Sequence, residues 1–317
     1  MTLKRWLLVL SFIVIAAPLT LVLVTMVYPS FKYRTNGSIM SGSEEREYLL
    51  YVPKSYDAAK PTPLVISLHG AMNWPGFQEE ITRWNQTADA NGFIVVYPAG
   101  TGTGPRMWEM AGWRNPAQMP DVRFIAELID RLQKSYNIDP ARIYADGLSN
   151  GGGMAFVLSC TLANRIAAIG AVAAAQLLPF NWCKDETPVP MIAFHGDADN
   201  IVPYEGGRVW IAPLPFPNVP QWVASWAQRN RCAPKPVEWP AAADVRRTQY
   251  TGCADNAVVV LYTVKGGGHT WPGGGEIPAW LAAEMALFGL PIGARTDNID
   301  ATRELWKFFR DHPLHRN

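Results

Sequence analysis

Residues 147–151, with the sequence Gly-Leu-Ser-Asn-Gly, constrain the fold of this chain more than any other stretch. The apolar run 142–146 precedes them and the small, apolar run 152–158 follows, which predicts a strand, a sharp turn and a helix. Glycines on both sides of Ser149 allow a tight turn that presents the hydroxyl at its tip. The motif alone is often a simple turn, but between a strand and a helix it predicts a nucleophile elbow.

Strand and helix patterns alternate along the rest of the chain. Strand patterns occur at residues 47–52, 63–68, 93–97, 142–146, 166–174, 191–194 and 257–264. Helical patterns occur at residues 84–90, 122–136, 152–158, 221–231 and 300–309. This order predicts an α/β fold, in which helices flank a mostly parallel sheet and the site lies at the carboxyl ends of the strands.

The amino-terminal 1–28 region is predicted to be separate from this domain. Residues 6–28 form an uncharged, strongly apolar run, which as a helix would span about 34 Å and could cross a bilayer. Because Pro18 directly follows the only clear small-residue pair, we favour an uncleaved membrane anchor over a cleaved secretory signal. Residues 29–43 are predicted to be a linker, and residues 44–317 a single catalytic domain.

Four cysteines fall into two local pairs, which suggests Cys160–Cys183 and Cys232–Cys253 disulfides. The alternative is four buried thiols. An apolar leader in front of the domain favours the disulfides and a domain exported from the cytoplasm. The domain would be membrane-anchored through the leader, or secreted if the leader is cleaved.

The sequence gives no sign of a nucleic-acid partner or of a metal site. The net charge is +1 and there is no long basic stretch, so no nucleic-acid partner is predicted. Residues 197–200, Asp-Ala-Asp-Asn, resemble the start of a calcium loop, but the glycine and closing glutamate of such a loop are missing. We therefore predict no metal and no cofactor.

A serine hydroxyl needs a neighbouring base before it becomes a nucleophile. The chain has five histidines: His69, His195, His269, His312 and His315. The first three follow predicted strands, and His269 lies in the glycine-rich loop 266–275, which can bend the imidazole over the sheet edge. We predict that His269 is the base, the alternative being a histidine that only stabilises a turn.

The chain order Ser, Asp, His that α/β-hydrolases use requires an acid between Ser149 and His269. Asp197 and Asp199 both follow the strand 191–194, and we predict Asp199 because it stands further into the loop, with Asp197 as the alternative.

The oxyanion hole requires two backbone N–H groups. Asn150 follows the nucleophile, and Ala71 lies in the loop after the strand 63–68. We predict these two residues as donors, and we predict that His69 holds the loop by a hydrogen bond.

Six motifs occur together and in order: Leu68-His69-Gly70, Trp113-Arg114-Asn115-Pro116, Asp121-Val122-x-Phe124, Gly147-Leu148-Ser149-Asn150-Gly151-Gly152, His195-Gly196-x-x-Asp199-x-x-Val202-Pro203-Tyr204 and Gly268-His269-Thr270-Trp271-Pro272-Gly273-Gly274. Over residues 44–313 the chain resembles the α/β-hydrolase esterase family of polyhydroxybutyrate depolymerases and feruloyl esterases. The resemblance implies a Ser149, Asp199 and His269 triad and the two disulfides.

We therefore predict a serine carboxylic-ester hydrolase that acts on a polyhydroxyalkanoate-type polyester or oligomer. The alternatives are a feruloyl or acetyl-xylan esterase acting on plant cell-wall esters, a peptidase, or a non-catalytic binding module. Trp113 and Trp271, with Trp74 and Tyr204 nearby, are predicted to line the substrate pocket. Residues 273–295 form either a lid or a permanently packed segment.

Overall fold

A computed structural model of the chain describes residues 35–102, 106–109, 119–177, 182–185 and 187–314. The predicted anchor 1–28 lies outside these ranges, as do Trp113 and His315. Among the described residues, no helix has the length and apolar character needed to cross a membrane.

One sheet of ten strands runs through the described residues. The strands are β1 Gly37–Ser41, β2 Glu44–Tyr51, β3 Thr62–Leu68, β4 Ile94–Pro98, β5 Ile138–Leu148, β6 Ala168–Val172, β7 Met191–Gly196, β8 Val237–Ala242, β9 Val245–Tyr250 and β10 Val259–Val264. Their spatial order is β1-β2-β4-β3-β5-β6-β7-β10-β9-β8. In this spatial order the six central strands, β4, β3, β5, β6, β7 and β10, pair in parallel. Two antiparallel strands lie at each edge, β1 and β2 on one side and β9 and β8 on the other.

Helices cover both faces of the sheet. They are α1 Pro75–Thr82, α2 Trp84–Asn91, α3 Pro120–Ser135, α4 Asn150–Thr161, α5 Val219–Arg229, α6 Ala279–Leu287 and α7 Ala301–Asp311. Apolar side chains of α3, α4 and α5 belong to one core cluster, and those of α1, α2 and α7 belong to the other. The predicted α/β-hydrolase architecture, a mostly parallel sheet flanked by helices, is confirmed.

Local sequence explains where several helices begin. The Asp300 side chain accepts the Arg303 N–H at 3.0 Å at the start of α7, and Asn218 accepts the Gln221 N–H at 3.0 Å at the start of α5. Asp121 lies inside the first turn of α3, whose N-cap residue is Met119.

Sequence patterns missed three strands and the helices α1 and α6. β1, β8 and β9 are antiparallel edge strands with exposed or polar side chains, so they lack the continuous apolar runs of buried parallel strands. The α6 helix is apolar, yet none of its residues is buried, and it lies within the segment 273–295.

Both predicted disulfides are present. Cys160, on α4, is bonded to Cys183, and Cys232 is bonded to Cys253. No cysteine among the described residues is free. Each bond closes a loop of about twenty residues, which restricts the unfolded chain and stabilises the folded one.

A carboxylic acid is buried directly before the elbow. Asp146 precedes Gly147 on β5, is fully buried, and its Oδ1 accepts the Ser67 hydroxyl hydrogen at 2.7 Å. Burial raises the pKa of Asp146 to about 7, against the opposing effect of the Ser67 hydrogen bond.

The raised pKa predicts a pH-dependent stability. Because the folded chain holds this proton more tightly than the unfolded chain, ionisation of Asp146 should lower the free energy of unfolding as the pH rises from about 4 to about 7. Asp146→Asn cannot ionise, so its stability relative to the wild type should rise by up to about 4 kcal/mol across this window. Urea unfolding of both proteins from pH 4 to 8 measures the difference, and parallel pH curves would contradict the prediction.

Candidate active site

The elbow forms where β5 ends and α4 begins. Ser149, between them, has φ 53° and ψ −119°, a conformation that side-chain-bearing residues rarely adopt. The Ser149 N–H donates to the Val172 carbonyl on β6 at 2.9 Å, which ties the turn to the sheet.

Crowding explains the glycines of the motif. A Cβ at Gly147 would overlap the backbone of Gly151, and a Cβ at Gly151 would overlap the Leu68 carbonyl on β3. The close approach of strand, turn and helix therefore requires glycine at both positions.

The acid and the predicted base meet because β7 and β10 are neighbouring parallel strands, with Gly196 opposite Val264. Their loops place Asp199 Oδ2 2.8 Å from His269 Nδ1. The other carboxylate oxygen, Oδ1, accepts the N–H groups of Ile201 at 2.8 Å and Val202 at 2.9 Å. These contacts hold the carboxylate in one orientation against the imidazole.

A second histidine lies against the same carboxylate. His195 Nε2 is 3.5 Å from Asp199 Oδ2 and 2.8 Å from the Val202 carbonyl oxygen, so the ring also supports the acid's loop. Burial lowers the pKa of His195, although the nearby Asp199 carboxylate acts in the opposite direction. In the sequence His195 stands after a strand and opens the motif that contains Asp199, but neither observation predicts this contact.

The electrostatics favour an ionised acid. Burial would raise the pKa of Asp199, but the charge and hydrogen bond of His269 outweigh it and lower the pKa below its ordinary value. A carboxylate at this position accepts the Nδ1 hydrogen of His269, and this tautomer leaves Nε2 able to accept a proton.

Asp197, the alternative acid, lies elsewhere. Its side chain is exposed, and its Oδ1 accepts the Gly266 N–H at 2.6 Å, so it holds the start of the histidine's loop. Within the described ranges, no group of three metal-binding side chains is placed to hold an ion.

The loop that carries Ala71 lies beside the elbow that carries Asn150. A Cβ added to Gly70 would lie 3.7 Å from the Ser149 Cβ, so this loop passes close to Ser149. The buried His69 ring holds this loop: its Nδ1–H donates to the Gly70 carbonyl at 2.7 Å and its Nε2 accepts the Gly100 N–H at 3.0 Å. Burial lowers the pKa of His69 to about 4, which keeps the ring neutral for these two roles.

Trp108, which sequence patterns did not single out, links both loops. Its indole Nε1–H donates to the His69 carbonyl at 2.9 Å, and its backbone N–H donates to the Asn150 side chain at 2.7 Å. The only signal for it in the sequence is its position in the stretch 100–120, which is rich in Gly, Pro and Trp and shows no strand or helix pattern.

The predicted pocket aromatics do not all face one space. Tyr204 is buried and its hydroxyl is 2.9 Å from Thr263 Oγ1, while Trp74 is buried at the start of α1. Neither residue is among those that line the cavity described below, and their contact with substrate stays a prediction. Trp113 lies outside the described residues.

Trp271 lines a cavity of about 510 Å³, although its ring is mostly buried and its indole N–H donates to Thr302 Oγ1 at 2.9 Å. Leu148, which precedes Ser149, and Thr270, which follows His269, also line it. Ala282 of α6 contributes to the opposite wall.

Comparison with known proteins shows similarity to one esterase family. The model of the esterase PHB depolymerase family matches residues 46–177, which include both predicted oxyanion donors and Ser149.

Two curated proteins are similar to part of this sequence. A bifunctional acetylxylan esterase/xylanase of Neocallimastix patriciarum is 35% identical over 160 residues, covering 50% of this chain and 22% of its own length. Feruloyl esterase B of Piromyces equi is 30% identical over 232 residues, covering 71% of this chain and 42% of its own length. The chain thus spans less than half the length of either relative.

A solved structure shows the same fold. The acetyl xylan esterase from Aspergillus awamori superposes with a TM-score of 0.55 at 16% identity, over 80% of this chain and 98% of that one.

Proposed function

The chain belongs to the α/β-hydrolase esterase family of polyhydroxybutyrate depolymerases and feruloyl esterases, and from this premise we propose that it hydrolyses carboxylic esters through a Ser149, His269 and Asp199 triad. The observation that carries the proposal is the 2.8 Å contact between Asp199 and His269. This contact lies at the same edge of the sheet as Ser149, whose positive φ is typical of a nucleophile elbow.

The proposed reaction has two halves. Ser149 Oγ attacks the ester carbonyl carbon while its proton passes to His269 Nε2. Collapse of the tetrahedral intermediate breaks the bond to the alcohol, which leaves with that proton, and the acyl group stays on Ser149. Water then gives a proton to His269 and its oxygen to the acyl carbon, and the acid departs as the proton returns to Ser149.

Two groups share the stabilisation of charge in this proposal. Backbone N–H groups of Ala71 and Asn150 would hold the negative oxygen of the intermediate, and the N-terminus of α4 adds a favourable dipole. The ionised Asp199 would stabilise the His269 cation that forms in each half.

The substrate class has two candidates. The family resemblance favours a polyhydroxyalkanoate-type polyester or its oligomers, and the names of the relatives favour feruloyl or acetylxylan esters of plant cell walls. The cavity of about 510 Å³ is much larger than an acetyl group needs, which supports a bulkier acyl group such as an oligomeric hydroxyacid or a ferulate.

A screen of the purified domain against polyhydroxybutyrate, methyl ferulate and acetylated xylan tests this proposal. We expect hydrolysis of at least one of the first two and faster hydrolysis of these than of acetylated xylan. Hydrolysis of none of the three, or of a peptide amide instead, would contradict it.

A second experiment tests whether the cavity holds the acyl group. Ala282 lines the cavity, whereas the neighbouring Ala283 is exposed on the same helix. Ala282→Trp should fill the cavity and raise KM for the bulkier accepted ester by about tenfold, with little effect on an acetate ester. Ala283→Trp is the matched control and should leave KM for both esters unchanged. If the two substitutions had equal effects, the cavity would not be the acyl-binding site.

We also propose that the domain works outside the cytoplasm. Two disulfides within one domain support an oxidising compartment. The predicted role of residues 1–28 as an anchor is tested by sequencing the mature protein from cells: a chain that begins after residue 17 would indicate a cleaved signal instead.

A further inference from the structure

Trp108 lies between the two loops that would form the oxyanion hole. It is buried, and its ring lies 5.1 Å from that of His69. The indole N–H donates to the His69 carbonyl at 2.9 Å, two residues before Ala71. Its main chain makes a reciprocal pair with the Asn150 side chain, accepting from Nδ2 at 3.2 Å and donating to Oδ1 at 2.7 Å.

Neighbours of Trp108 brace it from both sides. Arg106 exchanges backbone hydrogen bonds with Asn73 at 3.1 and 3.3 Å, which attaches the segment 106–109 to the far end of the Ala71 loop. Glu109 donates its N–H to Asp121 Oδ2 at 2.7 Å, and Asp121 forms a buried ion pair with Arg46 at 2.6 Å.

These contacts add to the direct pairing of β3 with β5, which sets Leu68 opposite Gly147. Trp108 is bonded both to the His69 carbonyl, in the segment that leads to Ala71, and to the Asn150 side chain in the elbow. Oxyanion donors act only when they point to the place where the charge develops, so a small displacement of one loop lowers the rate.

We propose that Trp108 is a positioning residue that sets the geometry of the oxyanion hole. This inference rests on the proposed function, because it assigns Trp108 a role in stabilising the intermediate of that reaction. Trp108 does not touch the reacting atoms in this proposal; it acts through the Ala71 loop and through Asn150.

Trp108→Phe tests the role because it keeps an aromatic ring and removes the indole N–H. The readout is the ratio of kcat/KM for an ester to that for the matching thionoester, whose sulfur anion accepts hydrogen bonds poorly and so gains little from an oxyanion hole. We expect kcat for the ester to fall about 10- to 100-fold with KM within about twofold, and the ratio to fall about tenfold.

Trp226 provides a matched control. It is equally buried, and its indole N–H also donates to a backbone carbonyl, that of Val189 at 3.0 Å. Trp226→Phe should lower stability to a similar extent and leave the ester-to-thionoester ratio unchanged. A merely structural role for Trp108 would lower both rates equally, so an unchanged ratio in Trp108→Phe would overturn the inference.

Asn150→Ala gives an independent test should Trp108→Phe fold poorly. It keeps the backbone N–H of residue 150 and removes the side chain that is bonded to Trp108, so the same fall in the ratio is expected. An unchanged ratio in this variant would also overturn the inference. If the wild-type protein hydrolyses esters and the ratio is unchanged in these variants, only the proposed role of Trp108 is wrong. If the wild-type protein hydrolyses no ester, the proposed function and this inference are both wrong.

Discussion

Replacing Ser149 with alanine should lower kcat for a short p-nitrophenyl ester by about 10⁵-fold, because the hydroxyl is the only atom that can form the acyl-enzyme in the proposed reaction. The backbone donors would remain, so a weak residual rate above that of water is expected. Ser149 is only partly buried and its side chain is short, so the variant should keep the wild-type unfolding midpoint.

A fluorophosphonate probe gives a direct readout of the same prediction. The wild-type protein should be labelled at Ser149 and Ser149→Ala should not be labelled, while Ser55→Ala, which alters an exposed serine, should be labelled like the wild type. A folded wild-type protein that resists the probe would favour a non-catalytic binding module over an esterase.

Asp199→Asn should lower kcat by about 10⁴-fold with little change in KM. The amide cannot stabilise the histidine cation, and its NH₂ group can favour the tautomer of His269 that presents a hydrogen to Ser149. Asp199 is nearly fully buried and accepts hydrogen bonds from two backbone N–H groups, so the substituted amide has little freedom to move away.

Asp197→Asn is the matched control, since it removes a negative charge from the same loop. The Asp197 side chain is exposed and its Oδ1 accepts the Gly266 N–H, so the substitution should change kcat by less than about fivefold. If Asp197→Asn were the more damaging of the two, the assignment of Asp199 as the acid would be wrong.

Core strands and helices could be predicted from the sequence because buried segments contain apolar residues in continuous runs or at helical spacing. Each of the seven predicted strands has a counterpart among β2 to β7 and β10, and each of the five predicted helices has one among α2, α3, α4, α5 and α7. Edge strands were missed because half of each such strand faces solvent, and α6 because an apolar segment without buried residues has no alternating pattern.

Chain order and motifs predicted which acid pairs with His269, but they did not predict which residues surround the site. The choice of Asp199 over Asp197 depended on position in the loop, and the structure brings Asp199 to His269. His195 lies only four positions from Asp199 in the same motif, but spacing alone does not show that its ring faces that carboxylate. Trp108 lies about 40 positions from His69 and from Asn150, so no local pattern could indicate its contacts. Burial of Tyr204 and Trp74 was equally invisible, because an aromatic residue beside Gly or Pro can face either a core or a cleft.

The sequence by itself determined the elbow at Ser149, the parallel core, the order of the predicted catalytic residues and both disulfide pairs, since each depends on residue types at short spacing or on repeated apolar runs. Only the tertiary structure decided which side chains surround the acid, which loops meet over the nucleophile and where the cavity lies. Those contacts join distant strands across one edge of the sheet, and their distances depend on packing that no single segment of the chain encodes.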